Sequence, residues 1–154
     1  MNIAINGFGR IGRLGFRAGW DNSAFTITKI NELCGGPETA AHLLEYDTVH
    51  GRWDREISHN PQQINIGGKS VAYSNAPCPS EMNLDNIDIV IDATGAFRTP
   101  ELLQPYFDAG VKKVIVAAPV KEGALNIVMG CNDHLYDTHK NHLITAASCT
   151  TNCI

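Results

Sequence analysis

Two short stretches near opposite ends of this 154-residue chain bring together residue types that can do chemistry. One is Ser148-Cys149-Thr150-Thr151-Asn152-Cys153, a thiol flanked by hydroxyls. It follows the last apolar run, so it belongs at the carboxyl edge of a sheet, where open α/β folds bind their ligands. A helix beginning there would set Cys149 near backbone N–H groups and a positive dipole end, and both favour the nucleophilic thiolate. Cys149 and Cys153 could share a helical face, but two thiols do not make a zinc site, and no metal is expected.

The other stretch is Gly7-Phe8-Gly9-Arg10-Ile11-Gly12, directly after an apolar run and at the start of an amphipathic one. In that context Gly7 permits a tight turn, Gly9 lets backbone approach a pyrophosphate, and Gly12 lets helix pack closely on strand. The unpaired N–H groups of the helix start then face the diphosphate. Glu32 stands just past the second apolar run, where its carboxylate can accept both ribose hydroxyls of adenosine and repel a 2′-phosphate. Leu33-Cys34-Gly35-Gly36 offers no compensating cation, so NAD is expected rather than NADP. Thr94-Gly95 ends another run and, in a 3-2-1-4-5-6 strand order, would adjoin the glycine turn.

Such residues need a frame that carries both stretches to one edge. Asn2 to Asn6, Phe25 to Ile30, Ile87 to Asp92, Val114 to Ala117, Asn126 to Met129 and Leu143 to Ala146 read as short strands alternating with helical segments. That alternation calls for an α/β fold, a doubly wound parallel sheet of the Rossmann type. Arg10 to Trp20 reads as a helix burying Ile11, Leu14, Phe16 and Ala18, with Arg10, Arg13 and Arg17 on a solvated face. Pro37-Glu38 suits a first turn, with Ala40, Ala41, Leu43 and Leu44 to bury. Thr99-Pro100-Glu101 is a second helix start and Gly110 its stop; Pro105 between them should kink the helix or delay its start. Gln63 to Ile66 and Ser70 to Tyr73, joined by Gly67-Gly68, read as a small antiparallel hairpin inserted in that frame.

Composition narrows the partners. A net charge of −4 gives no electrostatic footprint for nucleic acid. No apolar run approaches the roughly 20 residues of a bilayer span, and the first residues lack a secretory leader, so a cytoplasmic protein is expected. Five cysteines without CxxC spacing signal neither a disulfide framework nor a four-ligand metal site.

Over essentially its whole length the chain closely resembles the glyceraldehyde-3-phosphate dehydrogenase family. The resemblance is carried, in order, by Ile5 to Arg13, Tyr46-Asp47-Thr48-Val49-His50-Gly51-Arg52, Ala93-Thr94-Gly95-Ala96-Phe97, Lys112-Lys113-Val114-Ile115 and Ala147 to Cys153. It implies that residues 1–148 are the dinucleotide-binding domain and that 149–154 begin a catalytic domain whose remainder is absent from this chain. It further implies that Cys149 attacks an aldehyde to give a thiohemiacetal, which passes hydride to the nicotinamide and leaves a thioester that inorganic phosphate cleaves. Ser148 and Thr150 would hold that phosphate. The backbone N–H groups of Arg10 and Ile11 would meet the cofactor diphosphate, with Asn6, Glu32, Thr94 and Gly95 around the nucleosides. Relatives form homotetramers.

Several residues depart from the family pattern. Glu32 replaces a common Asp, and Asn31-Glu32-Leu33 is similar to erythrose-4-phosphate dehydrogenases. Pro77 stands where a cation is frequent near the adenine, and Ala117 where a hydroxyl contacts the cofactor. Trp53 and Ala117 to Glu122 resemble a bacterial branch associated with arsenate resistance, in which arsenate replaces phosphate. None of the six histidines (42, 50, 59, 134, 139, 142) has the position of the family's general base. The isolated chain is therefore expected to bind NAD without turning over aldehyde. An NAD-sensing module with no catalytic half is the alternative from a different class.

Overall fold

The sequence folds, in a computed structural model that describes residues 1–153, around one large sheet with helices on both faces. Ile154, assigned from sequence to the start of the catalytic domain, lies outside the described residues. The strands are β1 (Asn2–Asn6), β2 (Thr26–Asn31), β3 (Tyr46–Asp47), β4 (Gly51–Arg52), β5 (Ile57–Asn60), β6 (Gln63–Ile66), β7 (Lys69–Ser74), β8 (Ile89–Asp92), β9 (Lys113–Val116), β10 (Leu125–Asn126) and β11 (Leu143–Thr145). The α-helices are α1 (Arg10–Gly19), α2 (Gly36–Glu45), α3 (Pro100–Asp108) and α4 (Cys149–Cys153).

The main sheet runs β10-β11-β9-β8-β1-β2-β7-β6-β5, and every pairing from β10 to β7 is parallel. Its β7-β2-β1-β8-β9-β11 portion is the expected 3-2-1-4-5-6 order, with the reversal of winding between β1 and β8. Alternation sorts the core into two layers. Ala4, Val90 and Val114 pack with Leu103 and Tyr106 of α3, while Ile3, Ile5 and Ile30 pack with Phe16 of α1 and Ala40, Ala41 and Leu44 of α2.

The hairpin is present and is joined to this frame. Gly67 and Gly68 both have positive φ, as a two-residue type I′ turn requires, and they link β6 to β7. β7 then pairs in parallel with β2, so the antiparallel β5-β6-β7 meander extends the main sheet. Asp47 closes the separate β3-β4 ribbon by accepting the N–H groups of Val49 and His50, both at 2.9 Å.

Three expectations need correction. The arginine face of α1 is solvated only at Arg10: Arg17 donates from Nε and Nη2 to the Leu44 carbonyl at 2.8 and 2.6 Å, and Arg13 donates to the Phe8 carbonyl at 2.7 Å. These bonds tie α1 to the end of α2 and to the glycine turn; meanwhile Ile11 and Leu43, expected inside, are 59% and 38% exposed. Of the two alternatives for Pro105 the delayed start is excluded, since α3 starts at Pro100 and runs through Pro105. It stops at Gly110, whose N–H bonds Phe107 while Val111 N–H bonds Tyr106, the paired bonds of a Schellman end. The strand expected over 126–129 is only Leu125–Asn126, because the Asn132 side chain takes the Val128 N–H at 2.7 Å and the Asn126 carbonyl at 2.9 Å, diverting backbone from the ladder.

Candidate functional site

Three polar residues stand side by side where the central strands end. Asn6 of β1 is in register with Asn31 of β2 and with Asp92 of β8. Above them opens a crevice of about 320 Å³ lined by Asn6, Gly7, Gly9, Glu32, Thr94 and Pro77, with Asn31, Leu33, Cys34 and Phe97 completing its walls. It lies at the winding reversal, the place where doubly wound sheets take ligands.

The glycines have three distinct environments. Gly7 has φ +87°, and a Cβ there would stand 2.6 Å from the Thr94 nitrogen, so only glycine lets the first turn touch the loop after β8. At Gly12 a Cβ would overlap the Gly7 carbonyl oxygen. At Gly9 a Cβ would meet nothing within 4 Å, so the backbone there borders open space. Gly9 also caps α1 without a side chain, leaving the first-turn N–H groups of Arg10 and Ile11 with no capping group. Phe8 anchors the turn from below: its ring is buried and meets Phe16 edge-on at 5.6 Å.

Glu32 is half-buried at the crevice wall. One carboxylate oxygen accepts the Phe8 N–H at 2.6 Å and the other the Cys34 N–H at 3.3 Å, which points the group toward the glycine turn with lone pairs to spare. The hydroxyl of Tyr73 donates to the Glu32 carbonyl, and burial, followed by the charge of Glu32, pushes the Tyr73 phenol pKa up. Arg10 turns away to pair with Asp47 at 3.2 Å. Burial lowers the Arg13 pKa, with neighbouring Arg10 acting in the same direction. Thr94 bonds Asp92 through both its N–H (3.0 Å) and its hydroxyl (2.7 Å), and Gly95 follows with φ +69°.

Cys149 opens α4, exposed, on the same carboxyl edge as the glycine turn, since β1, β8, β9 and β11 are all parallel. It does not line the crevice: β11 is three strands from β1, roughly 14 Å at the usual spacing of about 4.8 Å. Ser148 caps α4, its Oγ accepting the Thr151 N–H at 3.0 Å and meeting the Thr151 hydroxyl at 2.7 Å. Thr150 is exposed beside it. Ala147, just before, has φ +55°, a left-handed conformation that strains a residue bearing a Cβ.

Sequence reasoning missed Ala147 because nothing in an alanine signals positive φ. It also missed Asn31, Asp92 and Tyr106 as site-forming residues; Tyr106 reaches Asn6 across 100 positions of sequence, which no local pattern reveals.

Fold and crevice together define a dinucleotide-binding domain of the doubly wound class. Residues 1–100 match the family described as "Glyceraldehyde 3-phosphate dehydrogenase, NAD binding domain". The chain is 51% identical over its full length to glyceraldehyde-3-phosphate dehydrogenase 3 of Nostoc sp.. It is 42% identical to glyceraldehyde-3-phosphate dehydrogenase of Geobacillus stearothermophilus and 40% to glyceraldehyde-3-phosphate dehydrogenase 2 of Bacillus subtilis, again over its full length. It covers 46% of each, so it spans about half the length of the curated relatives it matches. The chain belongs to the glyceraldehyde-3-phosphate dehydrogenase family, and NAD is the cofactor of the domain it matches. The residues present fit that cofactor: bare backbone at Gly9, an uncapped helix start and a wall carboxylate suited to ribose hydroxyls.

Proposed function

We propose that this chain is the NAD-holding part of a phosphorylating aldehyde dehydrogenase, with residues 1–148 as the dinucleotide domain, 149–154 as the start of the catalytic domain, and Cys149 as the nucleophile. The observation that carries the proposal is the joint placement on one sheet edge of a crevice over Gly9 and an exposed thiol at Cys149. Gly7, Phe8 and Gly9 form the turn, Arg10 and Ile11 present backbone N–H groups to the diphosphate, and Asn6, Glu32, Thr94 and Gly95 flank the nucleosides. Bound NAD supplies the hydride acceptor. The Cys149 sulfur adds to the aldehyde carbon, the C–H bond breaks with loss of hydride, and the resulting thioester is cleaved when a phosphate oxygen attacks the acyl carbon and sulfur departs as thiolate.

Ser148 and Thr150 flank the thiol with hydroxyls and hold the phosphate, or arsenate in its place. The stretch from Ala117 to Glu122, together with Trp53, supports the arsenate form. The relatives named above carry glyceraldehyde-3-phosphate in their names, and that phosphorylated aldehyde is the substrate we propose. The full-length protein works in the cytoplasm as a homotetramer.

Peptide-resolved alkylation of the chain tests the nucleophile. Iodoacetamide should modify Cys149 faster than Cys34, Cys131 or Cys153, all of which are exposed as well. Equal rates at the four would remove the reason to single out Cys149.

A further inference from the structure

Beneath the crevice runs a chain of polar side chains of which the reading above uses only Asn6 and Thr94. Tyr106, on the buried side of α3, donates its hydroxyl proton to Asp92 Oδ2 at 2.7 Å and accepts the Asn6 Nδ2–H at 2.6 Å. Asn6 Oδ1 in turn accepts from Asn31 Nδ2 at 2.8 Å, and Asn31 Oδ1 accepts from the Ser74 hydroxyl and the Ala76 N–H, both at 2.8 Å. The other Asp92 oxygen takes both donors of Thr94. Asp92 and Tyr106 are fully buried, and among the described residues no Lys, Arg or His forms an ion pair with Asp92.

Donor direction in this chain is set from both ends. At one end Asp92 Oδ2 takes the single Tyr106 hydroxyl proton, and the Tyr106 oxygen accepts from Asn6. At the other end the Ala76 N–H donates to Asn31 Oδ1 and the Ala76 carbonyl accepts from Asn31 Nδ2, so Asn31 turns its NH₂ toward Asn6 Oδ1 and the Asn6 NH₂ is left for Tyr106. Asn6, Asn31 and Thr94 line the crevice, whereas Tyr106 and Asp92 do not.

We propose that Tyr106 and Asp92 are positioning residues for the dinucleotide: they anchor the NH₂ end of the Asn6 amide and hold the Thr94 N–H and hydroxyl, so that the crevice is set before ligand arrives. The proposal rests on the NAD-binding reading.

Titration calorimetry of the chain with NAD, run beside thermal melts, tests it. Tyr106→Phe leaves the buried Asn6 NH₂ without its acceptor, so that this end of the amide can swing, and should raise Kd about tenfold, the size of one buried hydrogen bond. Leu103→Met, on the same helix but outside the polar chain, should leave Kd unchanged. Asp92→Asn introduces a donor where the chain needs an acceptor and should weaken binding similarly. The double variant should bind no worse than the weaker single, because one chain has been broken twice. In the Tyr106→Phe protein the side-chain NH₂ resonances of Asn6 should also shift.

A folded Tyr106→Phe protein with Kd within twofold of the parent overturns the proposal, as do strictly additive effects in the double variant. If Tyr106→Phe does not fold, an unchanged Kd in Asp92→Asn overturns it alone. If the parent chain gives no heat with NAD, the binding reading falls and the inference with it; if the parent binds and both variants bind equally well, only the inference falls.

Discussion

Replacing Gly9 by alanine separates cofactor binding from folding, because at this position the two respond to different things. Gly9 has φ −68°, outside the left-handed region, so a methyl group brings no backbone strain. Nothing lies within 4 Å of the added Cβ, so it brings no clash either. The remaining cost to the fold is alanine's poorer performance at a helix N-cap, about 1 kcal/mol at most. For a chain of this size that lowers Tm by no more than about 4 °C.

Binding should respond far more strongly. The methyl would occupy the open space in which we propose the diphosphate rests, holding it away from the first-turn N–H groups. A hydrogen bond to a charged group contributes about 1.5–3 kcal/mol net, so losing one raises Kd roughly 10- to 100-fold. Calorimetry with NAD on the folded Gly9→Ala chain reads the effect directly. A Kd within threefold of the parent would refute the argument that the diphosphate sits over this turn. Gly12→Ala provides the contrast, since overlap with the Gly7 carbonyl forces the helix off the strand and should cost about 1–3 kcal/mol of stability, visible as a lower melting temperature.

Other outcomes follow from the same structure. Phe16→Ala, which removes the fully buried ring packed against Phe8, Trp20 and Trp53, should lose about 3–5 kcal/mol in urea unfolding. Ala147→Val places a β-branched residue at φ +55° and should destabilise by about 2 kcal/mol or more, whereas Ala147→Gly should be close to neutral; thermal melts separate the two. The Asp47 carboxyl is held well below the usual range, chiefly by the His50 and Val49 N–H groups. Its contribution to stability is therefore present above the unfolded value of 3.8 and is lost as pH falls below it, so Asp47→Asn should flatten the acid limb of a Tm-against-pH curve. NAD should slow alkylation of Cys34, which lines the crevice, and leave the rate at Cys131 unchanged.

Much of the frame was legible in the sequence because its signals are local. A glycine turn after Asn2–Asn6, the two positive-φ glycines at 67 and 68, and short apolar runs in alternation each read out at the position where they act. Misreadings came where a distant group decided the matter. Arg17 looks solvated until the Leu44 carbonyl, 27 residues away, is brought beneath it. The segment after Asn126 looks like a strand until Asn132 folds back on it. The floor of the site was hidden for the same reason: Asn6, Asn31 and Asp92 become neighbours through strand register, and Tyr106 joins them from a helix on one face of the sheet.

An ¹⁵N-resolved NMR titration of the chain with NAD tests the central claim most directly. The largest shifts should fall on the amides of Gly7 to Ile11, Glu32 to Cys34 and Thr94 to Gly95, marking a ligand that spans the ends of β1, β2 and β8. No shifts at millimolar NAD, or shifts confined to residues away from those strand ends, would contradict it.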